Sequence, residues 1–229
     1  MTDSTSSEEW YENYYNKVNV SAADGSLVSN TFHKLLERKF RSNLNLDILE
    51  VGANREEHVK FVYNDFRRYV STDIRESGGE ARNLDKRIEF LQANVECLPF
   101  DDSSFDRVIS TCVFHHVSNP EKGFEEARRV LKDGGSFSIM LPNDPGLGYR
   151  TFRRFTSLRK AKKLGVLKMA KLAHEREHRN HYLSLLAMIT WVFRADKISV
   201  LNFPFGVKIY DLNLLTVLTI KVKKSSRDK

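Results

Sequence analysis

Cysteine is nearly absent from this 229-residue sequence, which has only Cys97 and Cys112. Two thiols cannot build a disulfide framework, so the fold must rest on a buried core of the kind found in a reducing compartment. Long hydrophobic runs are lacking too. The longest nearly uncharged apolar stretch, Tyr182 to Phe193, falls short of the ~20 residues that a membrane-spanning helix needs. The opening MTDSTSSEEWYEN has neither a basic nor an apolar leader region, which predicts a cytoplasmic protein without a signal peptide. No internal repeat and no low-complexity linker divides the chain, so a single domain over 1–229 is expected.

Net positive charge is missing from most of the chain as well. Residues 150–180 hold eleven Lys/Arg against Glu175 and Glu177, a local +9, which leaves −2 on the rest of a chain whose total is +7. The basicity therefore belongs to one segment, and such a patch suits anionic partners: phosphate-bearing substrates, nucleic acid or an acidic membrane surface. On a helical wheel Leu158, Leu164, Val166, Leu167 and Leu172 do not share a face. That argues against an amphipathic helix lying on a membrane.

What is present is ordinary for a globular domain: 41% hydrophobic and 29% charged residues. Apolar patterns predict strands at 47–51, 68–73, 88–93, 105–111 and 136–141. Between the first two, Glu56 and Glu57 sit where a helix would begin, with Val59, Val62 and Phe66 at helical spacing. Asn119 reads as an N-cap and Pro120 as the first residue of a helix. Phe124, Ala127 and Leu131 form its buried stripe, and Gly134-Gly135 is expected to end it. An apolar helix at about 178–194 follows, then a strand at 197–203 and a β-rich run at 212–223, expected to pair antiparallel at the sheet edge. Alternation of strands and helices predicts a doubly wound, mostly parallel α/β sheet.

Ligands of such sheets bind outside the carboxyl ends of the strands, where the winding reverses. Four predicted strand ends carry suitable residues. After the first comes Glu50-Val-Gly-Ala-Asn-Arg-Glu-Glu-His58, a strand–turn–helix in which Gly52 allows close approach of a ligand to the backbone. Asp73 ends the second strand, where an acidic side chain can accept both hydroxyls of a ribose. Asn94-Val95-Glu96 follows the third strand and offers amides to an adenine edge. Thr111 to His116 follows the fourth.

Three further stretches complete the set: Leu98-Pro-Phe-Asp-Asp-Ser-Ser-Phe-Asp106, Phe114-His-His-Val117 and Arg129-Val-Leu-Lys-Asp-Gly-Gly135. In this order, over roughly 44–143, the chain resembles the class I S-adenosylmethionine (SAM)-dependent methyltransferases, in particular the type 11-like subgroup. The resemblance implies a seven-stranded sheet with an antiparallel C-terminal hairpin, and SAM as cofactor. It places Glu50, Gly52, Ala53, Asn54, His58, Asp73, Ile74, Asn94, Val95, Glu96 and Thr111 around that cofactor. His115 and His116 become candidate general bases, with Asp144 a further catalytic candidate at the end of the fifth strand. Residues 1–43, including Trp10 to Tyr15 and Ser29 to Glu37, would form a helical cap over the cofactor. Residues 144–195 would form a basic, helical substrate-side insertion, and 196–229 the terminal strands.

One departure stands out. The family's acidic-x-Gly-x-Gly-x-Gly turn reads here Glu50-Val-Gly52-Ala-Asn54-Arg-Glu56, with two glycines replaced. Asn54 tolerates a left-handed backbone, whereas the Glu56 side chain must point away from the cofactor.

Each assignment has a plain structural alternative. Asp73 can cap its own turn, Asn94 can close an Asx-turn, one of the two histidines can simply pack, and Cys112 can pack as a small apolar residue. His174, His178 and His181 have near-helical spacing but no zinc motif surrounds them, so no metal is expected. A lid helix explains them as well as a substrate role does. The favoured acceptor is an O or N atom of a small molecule or glycan-type compound, phosphate-bearing in one version. The alternatives are tRNA methylation, served by the same basic segment, and a methyltransferase-like partner protein that has lost SAM binding.

Overall fold

The computed structural model describes residues 27–38, 40, 45–53, 58–62, 66–75 and 85–224. The Trp10–Tyr15 stretch, Asn54 and Glu56 lie outside the described residues. The order is α1 (Leu27–Glu37), β1 (Leu46–Val51), a 3-10 turn (His58–Phe61), β2 (Phe66–Asp73), β3 (Ile88–Gln92), β4 (Phe105–Thr111), α2 (Pro120–Val130) and β5 (Leu131–Pro142). There follow α3 (Leu147–Phe155), α4 (Ser157–Lys163), α5 (Leu167–Glu177), α6 (Tyr182–Val192), β6 (Lys197–Phe203), a second 3-10 turn (Tyr210–Leu212) and β7 (Leu215–Lys221).

The seven strands lie in the order β3-β2-β1-β4-β5-β7-β6. The first five are parallel; β7 runs antiparallel to both β5 and β6. The chain winds outward from β1 to β3, then returns to lay β4 on the other side of β1, so the winding reverses between β1 and β4. The expected parallel sheet and terminal antiparallel pair are both present. No described helix is long and apolar enough to cross a membrane.

Both faces of the central strands are covered, which is why β1 and β4 read as apolar runs rather than alternating ones. On one face Leu49, Val51, Val108, Phe137 and Ile139 pack with Phe124 and Ala127 of α2 and Leu185, Ile189 and Phe193 of α6. Phe114 stacks on Phe124 with centroids 4.1 Å apart. On the other face Ile48, Tyr69, Ile109 and Met140 pack with Leu36 of α1. Each such side chain, fully buried, contributes roughly 1.5–3 kcal/mol.

Several boundaries differ from the periodicity. Phe66 begins β2 instead of continuing a helix, because it packs beside Tyr69 on the α1 face. The described remainder of the expected helix is the 3-10 turn at His58–Phe61. Asn119 does cap α2, accepting from Lys122 N at 3.2 Å, with Pro120 in the first turn. The helix stops before the glycines, since Leu131 already has extended backbone (φ −73, ψ 138). Gly134 and Gly135 lie inside β5, with Gly134 at φ +71. Helix α6 starts at Tyr182 because His181 is extended (φ −80, ψ 156).

The α1 face holds a buried charge network. Glu37 and Arg107 are 0% and 1% exposed. Arg107 donates from both terminal nitrogens to the Glu37 carboxylate (2.8 and 2.7 Å) and from Nε to Ser138 Oγ (3.1 Å). The Phe40 ring covers the guanidinium at 3.7 Å. His58 Nε2 meets Glu37 Oε1 at 2.9 Å, and its Nδ1 lies 2.7 Å from His33 Nδ1. Burial pushes the Glu37 carboxyl up, but hydrogen bonds from His58 and Arg107 outweigh it and hold it below its usual range. Burial, then the neighbouring His58, bring His33 down to about 4.

At the end of β1, Gly52 has φ +69, and a Cβ there would lie 2.3 Å from Val113 Cγ2. Glycine is required twice over, by the left-handed backbone and by the close approach of the loop after β4.

Two stability measurements test this account. Glu37→Ala strands the Arg107 guanidinium, and urea unfolding should show a loss of about 3–5 kcal/mol. Gly52→Ala should destabilise, and Val113→Ala in the same chain should relieve the clash while leaving the left-handed penalty of roughly 1–2 kcal/mol. A fully additive double mutant would contradict the contact.

Candidate active site at the strand ends

The carboxyl ends of β1, β2 and β3 form one row. Ala53 N donates to Thr72 O and Ala93 N to Asp73 O, both at 2.8 Å. Gly52, Ala53, Asp73 and Asn94 are thereby brought side by side. Asp73 is 7% exposed and the adjacent Ile74 64% exposed. A carboxylate beside an uncovered apolar side chain matches a ribose beside a purine, so the residues present fit an adenosine.

Around the row the side chains are individually engaged. Glu50 is buried and accepts from the Tyr69 hydroxyl at 2.7 Å. Asp73 Oδ1 accepts from Arg75 N at 3.1 Å, so the turn-capping geometry is present. Asn94 Oδ1 accepts from Glu96 N at 3.0 Å, an Asx-turn. Val95 is buried, and Glu96 Oε1 accepts from Asn119 N, tying this loop to the start of α2. Thr111 ends β4 and is half-buried. His58 has a different place from the expected one. Both of its ring nitrogens are taken by Glu37 and His33 on the α1 face, so it serves the core and not a ligand.

The loop after β4 begins with Cys112 at φ +56, a left-handed backbone uncommon for a residue with a side chain. Its thiol packs with the apolar cluster under α1, and burial pushes it up to about 12. The loop then presents His115 and His116. Their ring centroids are 3.9 Å apart, and His178 lies 4.3 Å from His115 and 5.3 Å from His116.

Asp144, at the end of β5, joins this group through the insertion. One oxygen, Oδ2, receives His178 Nδ1 and His174 Nε2, each at 2.9 Å. Tyr149 of α3 stands beside both rings, 6.3 and 6.4 Å away. Burial drives the Asp144 carboxyl up, but the hydrogen bonds from His174 and His178 prevail and lower it well below its usual range. Burial lowers His115 strongly, His116 to about 3 and His178 to about 4. These imidazoles are neutral near pH 7 and can accept a proton or donate a lone pair.

Asn180 locks the arrangement. Its Nδ2 donates to Phe114 O (3.2 Å) and Val117 O (2.7 Å), and its backbone N donates to His115 O (3.2 Å). Neither Asn180 nor Tyr149 carries a local sequence signal for a site, and the sequence of His174 and His178 fits a lid helix as well as a substrate role. The available signal was the i, i+4 spacing of His174 and His178, which puts both rings on one helix face. Their carboxylate partner comes from another strand end, out of reach of any local motif. The nitrogens and oxygens of two overlapping groups lie within 4.8 Å of one another: His115, His116 and His178, and Asp144, His174 and His178. The expectation of no metal rested on spacing along one segment, whereas these donors come from three.

The basic segment 150–180 is carried on three short helices, α3 to α5. Of the eleven Lys/Arg in 150–180, all but Arg153 and Lys160 are exposed. A separate cleft of about 500 Å³, lined by Arg128, Arg129, Trp191 and Lys223 among others, sits at the amino ends of the strands, away from these groups.

Residues 49–139 match the family described as "Methyltransferase domain". The demethylmenaquinone methyltransferase of Clavibacter sepedonicus is 47% identical over 55 residues, 24% of this chain and 22% of that protein. The ubiquinone/menaquinone biosynthesis C-methyltransferase of Rhodopseudomonas palustris is 38% identical over 71 residues, 30% of this chain and 28% of its own length. The matches thus span about a quarter of those relatives. Among solved structures, the 1,6-didemethyltoxoflavin-N1-methyltransferase of Burkholderia thailandensis superposes with TM-score 0.62 at 13% identity, covering 95% of this chain and 87% of the other, which bears on fold alone. In its motif order, its sheet and the match over 49–139, the chain is similar to the class I SAM-dependent methyltransferases of the type 11 kind.

Proposed function

We propose that this protein moves a methyl group from SAM to an oxygen or nitrogen atom of a small-molecule or glycan-type acceptor, with an anionic group of the acceptor held by the basic insertion. SAM supplies a methyl already activated on a sulfonium. What the chain must do is hold cofactor and acceptor in line, and such orientation is worth roughly 7–11 kcal/mol of the barrier. Asp73 takes the ribose hydroxyls, Ile74 and the Asn94–Glu96 backbone the adenine, and the Gly52 turn the amino-acid end. The acceptor lies over the ends of β4 and β5. An imidazole there takes its proton, a contribution of about 10²–10⁴-fold.

The observation that carries this reading is the Asp144–His178 contact of 2.9 Å beside His115 and His116. A carboxylate that orients a neutral imidazole is the arrangement a hydroxyl or amine acceptor needs. A second reading is methylation of a quinone-type ring carbon, favoured by the names of the two bacterial relatives. It uses the same base on the ring hydroxyl.

The cofactor half is tested by calorimetry with SAM and S-adenosylhomocysteine. Asp73→Ala should weaken SAM about ten- to hundredfold, the loss of charged hydrogen bonds of ~1.5–3 kcal/mol. No heat and no thermal shift from the folded wild-type protein would instead favour the partner-protein reading suggested by the glycine-poor turn. For the acceptor half, Gln at Arg154, Arg159, Lys162 and Lys163 should leave SAM affinity intact and lower turnover of phosphorylated acceptors more than of neutral ones. Submicromolar tRNA binding at physiological salt, lost in that variant, would move the assignment to RNA.

A further inference from the structure

We infer that His115, His116 and His178 form a three-imidazole site for a divalent transition metal of the zinc class. One nitrogen from each lies within 4.8 Å of the other two, a spread that small ring rotations close to the ~2.0–2.1 Å Zn–N bonds of a tetrahedral site. Imidazole sets of this kind suit zinc, copper, iron and nickel.

The surroundings of the rings argue for metal ligation over mere packing. Histidines that bind metals hold the other ring N–H on a carboxylate or a backbone carbonyl, which fixes the tautomer and the ring angle. His178 Nδ1 donates to Asp144 Oδ2, and His116 Nδ1 to Glu177 O, both at 2.9 Å. In each case the hydrogen sits on Nδ1 and the lone pair on Nε2. His115 is 4% exposed, and its Nδ1 is buried with no hydrogen-bond partner. An unpartnered buried nitrogen is costly, and coordination or a tautomer shift on metal binding relieves it. His174 shares the same Asp144 oxygen as His178 and so braces the carboxylate. His116 is part-buried, which leaves an approach for the ion on its side, whereas the His178 side chain is 8% exposed.

Three protein ligands leave a fourth position for water or an acceptor oxygen. A metal there would lower the acceptor's proton affinity directly, the Lewis-acid counterpart of the base assigned above. The inference deepens that reading and rests on it only for the metal's use, not for its binding.

The test uses tag-free full-length protein stripped with a chelator, titrated with Zn²⁺ by calorimetry and with Co²⁺ by visible absorption, without SAM or acceptor. One equivalent should bind, with the intense bands of tetrahedral cobalt. His116→Ala and His178→Ala should each abolish stoichiometric binding. Asp144→Asn should weaken it about ten- to hundredfold, and His181→Ala, an exposed position, should leave it unchanged. Absence of a stoichiometric ion in wild-type protein overturns the proposal, whatever the variants do. So does a pattern in which His174→Ala abolishes binding and His116→Ala does not, since the ion would then sit on Asp144, His174 and His178. SAM heats measured on the same samples separate the two claims: SAM without metal defeats only this inference, metal without SAM only the methyl-transfer reading.

Discussion

One carboxylate oxygen ties the end of the three-helix segment after β5 back to the sheet. Asp144 Oδ2 takes hydrogen bonds from His174 and His178, and the Asp144 carbonyl takes one from Tyr182 N. The sheet thereby fixes both the last turn of α5 and the first of α6. Desolvating a carboxylate is costly unless its oxygens are matched by donors, so the residue holds its place only while the insertion is docked. Helices α3 to α5 in turn have few buried apolar side chains of their own, with Ala161, Ala170 and Ala173 the main ones. Their position depends on polar contacts to Asp144 and on the Asn180 clamp, whereas α6 is held by Leu185, Ile189 and Phe193 in the main core.

The opposite face solves a related problem differently. Arg107 lies in the middle of a central strand, where a charged side chain has no access to water. Its guanidinium is matched by the Glu37 carboxylate and Ser138, through Nε and one N–H of each terminal nitrogen, and its face by the Phe40 ring. Replacing such a pair with apolar residues is often neutral for stability. Its clear consequence here is geometric: α1 can dock in one register only, with Glu37 over Arg107 and His58.

Much of the fold was legible because the apolar pattern of a doubly wound sheet is strong. The fourth strand and the 197–203 strand were placed as found, and Asn119-Pro120 marked the start of α2 through ordinary capping chemistry. The boundaries that failed did so where tertiary contacts override local preference. Phe66 fits a helical stripe but packs on the sheet, and Gly134-Gly135 reads as a helix stop but sits within a strand. Of the candidate site, the places of Gly52, Asp73 and Asn94 at the strand ends were legible because each directly follows or ends a strand pattern. His58 was misread because its spacing from Gly52 says nothing about Glu37, a helix away. The meeting of Asp144 with His174 and His178 was invisible for the same reason, since it depends on how a three-helix excursion folds back.

That excursion leaves and returns at the same point. It departs from the sheet at Asp144 and is tied down again between His174 and Tyr182, all on groups of Asp144 or of the adjacent 114–117 loop. Lengthening a loop whose ends are already pinned together costs little entropy, about 0.6 kcal/mol per doubling. The three helices between those anchors can therefore be shortened, extended or exchanged with slight effect on the sheet. The segment thus has the character of an interchangeable cassette, whose helices can be rewritten ahead of His174 while Asp144 and the Asn180 clamp stay in place.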